Sequence, residues 1–344
     1  MNNPFNLDFG AEPNLFIPRE AEKRKILDTF KADKPSSHIF MLLGARGSGK
    51  TVLMTNISHE LRRYDDWIHI DLNVESNMLE ALAASLYEST KKKLPKLKLS
   101  LSFKGISVSV EKDEKYSDIQ TDLDAMLKAL DKQSIKLLIT VDEANNSQKV
   151  RELTTYFQHA IREKLPVFMI MTGLYKNIRA LQNNRSQTFL RRAPKLNLGE
   201  LNLTRIARQY ESAFNIDYDK AYAMAVLTKG YSYGFQILGY LTCEAGKDYP
   251  DDDVIFDYKL NLAECSYDKI WEELSENERD VARAIAKSSE DTAIKVIRDL
   301  VDMDSNNFST YKDTLEKSGI LSASTAYGRV RFALPYFREY VNDH

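Results

Sequence analysis

The eight residues Gly44-Ala45-Arg46-Gly47-Ser48-Gly49-Lys50-Thr51 follow directly on the apolar run Ile39-Phe40-Met41-Leu42-Leu43. This G-x-x-x-x-G-K-T spacing, set between a buried strand and a helix that continues through Val52-Leu53-Met54, is that of a phosphate-binding loop. The residue types fit one task. Glycines let backbone N–H groups turn inward around an anion. Lys50 brings a compact positive charge to β- and γ-phosphates. The Thr51 hydroxyl suits Mg²⁺, and the helix it opens points its positive end at the anion. The candidate nucleotide-binding residues are therefore Gly44, Ala45, Arg46, Gly47, Ser48, Gly49, Lys50, Thr51 and Val52. The plain alternative is a glycine-rich strand-to-helix turn without a ligand; the flanking strand and helix argue against it.

The rest of the first 200 residues alternates short apolar runs with helical periodicity. Strands are expected at 38–43, 67–72, 136–141, 167–171 and 195–198, with helices at 19–31, 51–63, 77–94, 117–131 and 148–163. Such alternation predicts an α/β fold, a parallel sheet covered on both faces. Residues 97–111 interrupt it: Leu97, Leu99, Leu101 and Phe103, then Ile106, Val108 and Val110, alternate with polar residues around Lys104-Gly105. Period-two patterning around a short turn predicts an inserted β-hairpin.

Val141 is followed by Asp142-Glu143. An acidic pair at the C-terminal edge of a buried strand is where ligands bind in open α/β sheets. Asp142 is the candidate Mg²⁺ ligand, acting through water because Mg²⁺ keeps much of its hydration. Glu143 is the candidate base that orients and deprotonates an attacking water. An ordinary acidic helix start is the competing explanation. Thr172, ending the fourth strand, is a candidate contact to a γ-phosphate or to that water, or else a simple strand-end turn residue. Arg191 and Arg192 precede the fifth strand. A guanidinium suits the charge that builds on a transferring phosphoryl group. Supplied by a neighbouring subunit, it would tie hydrolysis to self-association; a solvated cation pair is the common alternative.

Composition narrows the partners. The 344 residues carry a net charge of −2 and are 43% hydrophobic, so nothing global attracts nucleic acid or an acidic membrane. The two cysteines, Cys243 and Cys265, have no ligand-like spacing, which fits a reducing compartment. The N-terminus lacks a basic region followed by an apolar core, and no apolar run approaches the roughly 18 residues needed to span a bilayer. A cytoplasmic protein without a membrane partner is expected.

From about residue 204 the strand signal stops. Helices are expected at 204–214, 218–229 and 233–247, then an acidic linker at 249–253, then helices near 275–288, 292–301 and 306–318 before a β-prone tail at 321–334. These parts together resemble the AAA+ ATPases, above all the origin-recognition-like branch and the related signal-transduction NTPases called STAND proteins. The resemblance runs over about residues 14–344. GARGSGKT and the run LLITVDEA at 137–144 match the two nucleotide motifs. Phe16-Ile17-Pro18-Arg19-Glu20 resembles the family's F-V-G-R-E segment, which implies that Phe16 and Ile17 lie over the base. Phe189-Leu190-Arg191-Arg192-Ala193 resembles the stretch carrying the inter-subunit arginine. Gly230-Tyr231-Ser232-Tyr233-Gly234-Phe235-Gln236 resembles the start of the lid helix, and Phe332 to Phe337 the close of a winged-helix domain. The resemblance implies ATP and Mg²⁺, with a core over 1–202, a helical lid over 203–250 and a winged helix-turn-helix over 266–344. Two departures stand out. Pro18 replaces the usual glycine, and the lid start offers Tyr233, Phe235 and Gln236 but no arginine for the γ-phosphate.

The last domain leaves two readings. In a winged helix, Asn307, Ser309, Thr310 and Lys312 on the third helix and Tyr327, Arg329 and Arg331 on the wing would reach double-stranded DNA. Yet residues 269–344 hold 11 Lys+Arg against 14 Asp+Glu, a net of −3. Phosphate contacts dominate DNA affinity, so an acidic module suits a protein partner better. The chain is expected to be an ATP-driven assembly factor associated with DNA, or a nucleotide-gated switch whose ATP/ADP state sets assembly. A metabolic kinase would not need the lid and winged-helix tail.

Overall fold

A computed structural model describes residues 3–7, 14–93, 119–289, 292–301, 303–322 and 329–344. The hairpin expected at 97–111, and Tyr327 of the expected wing, lie outside the described residues. The elements run α1 Glu20–Lys31, β1 Ile39–Leu43, α2 Lys50–Arg62, β2 Trp67–Leu72, α3 Met78–Lys93, α4 Ile119–Asp131, β3 Lys136–Val141, α5 Gln148–Arg162, β4 Val167–Gly173 and α6 Tyr175–Asn183. A 3-10 helix, Arg185–Arg192, then leads to β5 Lys195–Asn197. The remainder is helical: α7 Leu203–Phe214, α8 Tyr218–Leu227, α9 Ser232–Glu244, α10 Asp252–Leu262, a π-helical turn Ala263–Tyr267, α11 Asp268–Glu273, α12 Glu276–Lys287, α13 Ile294–Asp299, α14 Ser305–Lys317 and α15 Phe337–Asn342.

The strands form one five-stranded sheet in the order β2-β3-β4-β1-β5, with β2–β3 and β3–β4 parallel. β1 and β4 are buried along their whole length, as expected of strands covered on both faces. The registers align Leu72 with Val141 and Val141 with Met171. Asp142 and Thr172 are thus each one residue beyond a paired position. β4 runs two residues further than its apolar run, so Thr172 lies in the strand near its end, and the alternative of a simple turn residue does not apply.

By compactness the chain divides into two units. One comprises Arg19–Leu42 and Leu53–Leu196, the other Met1–Pro18, Leu43–Val52 and Asn197–His344. In the first, Phe30, Trp67 and Phe168 pack together, with ring centroids 4.9 Å apart for Phe30–Phe168 and 5.1 Å for Trp67–Phe168. In the second, Phe5, Tyr210 and Phe235 form an aromatic cluster, and Tyr210 donates to the Phe235 carbonyl at 2.7 Å. Val281, Ile285, Phe308, Leu315 and Phe337 continue this core through α12, α14 and α15. Antiparallel bridges join Ala293 to Arg329 and Leu321 to Phe332.

Residues 252–273 correct the expectation of a linker reaching to 253. Asp251 caps α10 by accepting from the Val254 amide at 3.1 Å, and Asp252 and Asp253 occupy its first turn. Acidic residues after Pro250 are thus a helix start. Among the described residues no helix is long and apolar enough to cross a membrane.

Candidate functional site

After β1 the backbone turns through Gly47 (φ +69°) and Gly49 (φ +86°). A Cβ on Gly47 would stand 2.3 Å from the Tyr231 hydroxyl oxygen. Only glycine meets both that dihedral and that space. Lys50 folds back over the loop, its Nζ donating to the carbonyl oxygens of Gly44 at 3.0 Å and Ala45 at 2.8 Å. The Ser48 amide donates to the same Ala45 oxygen at 3.2 Å. Ala45 O thus collects donors of the kind that an anion collects in such a loop. The cradle fits a polyphosphate, with Lys50 as its charge and Thr51, half-buried in the first turn of α2, beside it in sequence for Mg²⁺.

Three further loop carbonyls are held by the start of α9. Tyr231 Oη donates to Arg46 O at 2.7 Å, the Tyr233 amide to Gly47 O at 3.0 Å, and Ser232 Oγ to Ser48 O at 3.1 Å. The Tyr231 hydroxyl also meets Ser266 Oγ, in the π-helical turn, at 2.8 Å. The Arg46 guanidinium pairs with Glu273 at the end of α11, Nη2 to Oε1 at 2.6 Å and Nε to Oε1 at 3.0 Å. Gly319 also lies close: a Cβ there, at φ +77°, would be 3.0 Å from the Ala45 amide nitrogen. Residues 184 to 227 positions away in sequence thus hold the loop. Tyr231, Ser232, Ser266, Glu273 and Gly319 were not legible as site residues, because none belongs to a phosphate-binding motif.

In the other unit, β3 delivers Asp142 and β4 delivers Thr172, as their register requires. The Thr172 hydroxyl, fully buried, donates to Asp142 Oδ1. The Glu143 amide donates to Asp142 Oδ1 at 3.0 Å and to Thr172 Oγ1 at 3.2 Å, and the Ala144 amide to Thr172 O at 2.8 Å. This fixes the acidic turn to the neighbouring strand. Glu143 has φ +52° and an exposed side chain. A left-handed conformation costs an L-residue about 1–2 kcal/mol, so glutamate at this bend is held against a backbone preference.

A partly buried polar chain joins β2 and β3, from Arg62 through His69 and Thr140 to Asp71. Arg62 Nε donates to His69 Nδ1 at 2.9 Å, which makes His69 a neutral ring carrying its proton on Nε2. Nε2 donates to Thr140 Oγ1 at 2.8 Å, and that hydroxyl donates to Asp71. Burial, followed by the nearby Arg62 guanidinium and the His59 ring, pushes the His69 pKa down to about 3.

The other expected site residues fall as follows. Arg191 and Arg192 are exposed at the end of the 3-10 helix. Arg191 donates to Gln182 O and Asn183 Oδ1, both at 3.2 Å. Ile17 is buried in the core of the unit that holds the phosphate loop, and Phe16 is half-buried. Gln236 of α9 donates to Leu15 O at 2.6 Å, and Arg205 of α7 to Pro18 O at 3.2 Å, so both ends of that segment are anchored. On α14, Asn307 donates to Asp304 at 2.6 Å, Ser309 to Ser305 O at 2.8 Å and Thr310 to Asn306 O at 2.9 Å. Lys312 pairs with Glu316 at 3.0 Å and Asp313 at 3.5 Å. Arg329 and Arg331 are exposed.

Residues 265–341 match a domain of unknown function, DUF8462. No curated protein matches the chain. Among solved structures, a Walker-type ATPase of Pyrococcus abyssi is similar over 95% of this chain and 96% of its own, at 18% identity and a TM-score of 0.67. The ORC2 protein of Aeropyrum pernix is similar over 98% of this chain and 96% of its own, at 15% identity; its TM-score is 0.60 in the ADPNP–ADP complexes and 0.51 in the ADP form. At these identities the likeness shows the fold alone: the chain has the fold of these Walker-type ATPase and ORC2 structures.

Proposed function

We propose that this chain binds ATP through residues 44–52 and hydrolyses it slowly, as a nucleotide-gated switch whose C-terminal winged helix-turn-helix takes a protein partner. The observation that carries the binding is the cradle itself: Lys50 Nζ and the Ser48 amide converge on one carbonyl oxygen, in a loop whose dihedrals require glycine. Thr51 and Asp142 are the residues that would hold Mg²⁺, which when bound neutralises phosphate charge. Glu143 takes the proton of the attacking water, and Thr172 keeps the acidic turn in place by its bond to Asp142. Phe16 and Ile17 flank the base. Arg191 and Arg192 are the cations available to a neighbouring copy in an ATP-dependent assembly.

A protein partner is favoured over double-stranded DNA by the state of α14. Asn307 and Lys312, two of the side chains that would read or hold DNA, are engaged by Asp304, Asp313 and Glu316. A third helix so furnished with carboxylates repels phosphate. Fluorescence anisotropy of a labelled duplex, with and without ATP at two salt concentrations, tests the choice. Salt-insensitive or undetectable binding is expected; tight, salt-dependent binding with ATP would reinstate the DNA reading and the role of Asn307, Ser309, Thr310, Lys312, Arg329 and Arg331 in it.

A further inference from the structure

We propose that Tyr231 is the positioning residue of the phosphate loop: its hydroxyl, with the Ser232 hydroxyl and the Tyr233 amide, holds three successive loop carbonyls away from the anion side. This rests on the reading of residues 44–52 as a nucleotide site. The correspondence is consecutive: the start of α9 engages the carbonyls of Arg46, Gly47 and Ser48 in turn. In a trans peptide the C=O and the following N–H point in opposite directions. Holding carbonyls 46, 47 and 48 toward α9 therefore turns the amides of Gly47, Ser48 and Gly49 to the opposite face, where Ser48 N and Lys50 Nζ already converge.

The start of α9 is unusual in a way that fits this role. Tyrosine occupies its N-cap and makes no side-chain cap bond, although Ser, Thr, Asp and Asn are the residues favoured there. Its hydroxyl goes to the loop instead. The first-turn amide of Tyr233, which helix geometry leaves without a partner in the helix, is satisfied by Gly47 O. The positive end of α9 thus faces carbonyls of the loop. Tyr231 is 5% exposed. Its single proton goes to Arg46 O, so Ser266 must be the donor in the Ser266–Tyr231 bond. The hydrogen bonds run in one direction, from the π-helical turn through Tyr231 to the loop. π-Helical turns recur at functional sites.

The test uses the full chain and calorimetry with Mg²⁺-ATP, Mg²⁺-ADP and Mg²⁺-tripolyphosphate. Tyr231→Phe keeps the ring and removes one hydroxyl. It is expected to weaken all three ligands by about tenfold, the loss of one hydrogen bond that presets the loop. It is also expected to speed hydrogen exchange at the amides of residues 47–49. Ser232→Ala, at the half-buried edge of the clasp, is expected to weaken the same ligands less, and it stands in should Tyr231→Phe fail to fold. Ligand affinities within twofold of wild type in both folded variants would overturn the proposal. Lys50→Ala separates the two levels. If wild type binds and Lys50→Ala does not, while Tyr231→Phe binds normally, only the clasp is wrong. If wild type binds none of the ligands, the nucleotide reading fails and the proposal with it.

Discussion

Arg46, in the middle of the phosphate loop, has its guanidinium 2.6 Å from a carboxylate oxygen of Glu273, the last residue of α11. A cation suited to phosphate is therefore held by a carboxylate from the segment that leads into α12. Both side chains are about one-third exposed, so the pair itself contributes under about 1 kcal/mol to stability. Its larger effect is on the loop's charge. Glu273→Gln is expected to raise affinity for Mg²⁺-ATP two- to fivefold, more at low salt than at high salt. Calorimetry at two ionic strengths checks this; weaker binding at low salt would contradict it.

Glu143 is assigned the proton transfer, and its backbone bend is independent of that chemistry. Glu143→Gln is expected to bind Mg²⁺-ATP as wild type does and to release no phosphate above background. Glu143→Gly is expected to lose turnover too, while its thermal midpoint stays level or rises, because glycine carries no penalty at φ +52°. A phosphate-release assay with thermal unfolding separates the two effects. Turnover by either variant at the wild-type rate would remove Glu143 from the mechanism.

His69 makes stability depend on pH. It accepts from Arg62 and must stay neutral to do so, and its pKa is held at about 3 against an ordinary 6.5. The unfolded chain protonates this ring below pH 6.5 while the folded chain does not. Its stabilising contribution is complete above that value. It is lost as pH falls toward 3, by up to about 1.4 kcal/mol per pH unit. Urea unfolding at pH 7, 6 and 5 is expected to show a steeper decline for wild type than for His69→Gln. Identical slopes would count against a histidine held neutral by the fold.

The protein-partner reading of the C-terminal segment predicts the response to charge. Replacing Asp304, Asp313 and Glu316 by their amides removes the carboxylates that engage Asn307 and Lys312. The triple variant is expected to gain salt-dependent duplex binding that wild type lacks, read by anisotropy. Duplex binding as tight in wild type as in the variant would contradict the reading.

Much of this arrangement was legible in sequence because it is local. The loop 44–51 is one contiguous motif, and Asp142-Glu143 follows a buried run whose place beside β4 fixes Thr172 as its neighbour. Two kinds of feature were not legible. The helix from Asp252 was obscured by its own start: Asp251-Asp252-Asp253 after Pro250 is also the composition of a linker, and only the Asp251–Val254 cap distinguishes them. The clasp on the loop depends on Tyr231, Ser232, Ser266 and Glu273 arriving from far along the chain, and no periodicity encodes such a meeting. A tyrosine at a helix N-cap was the one local oddity pointing to it.

Every role assigned to the loop requires nucleotide binding at Lys50. Isothermal titration of Mg²⁺-ATP into the full chain and into Lys50→Ala tests this most directly. Saturable one-site binding by wild type, lost in Lys50→Ala with the fold retained, is the expected result. Equal affinity in the two proteins, or no binding by wild type, would contradict it.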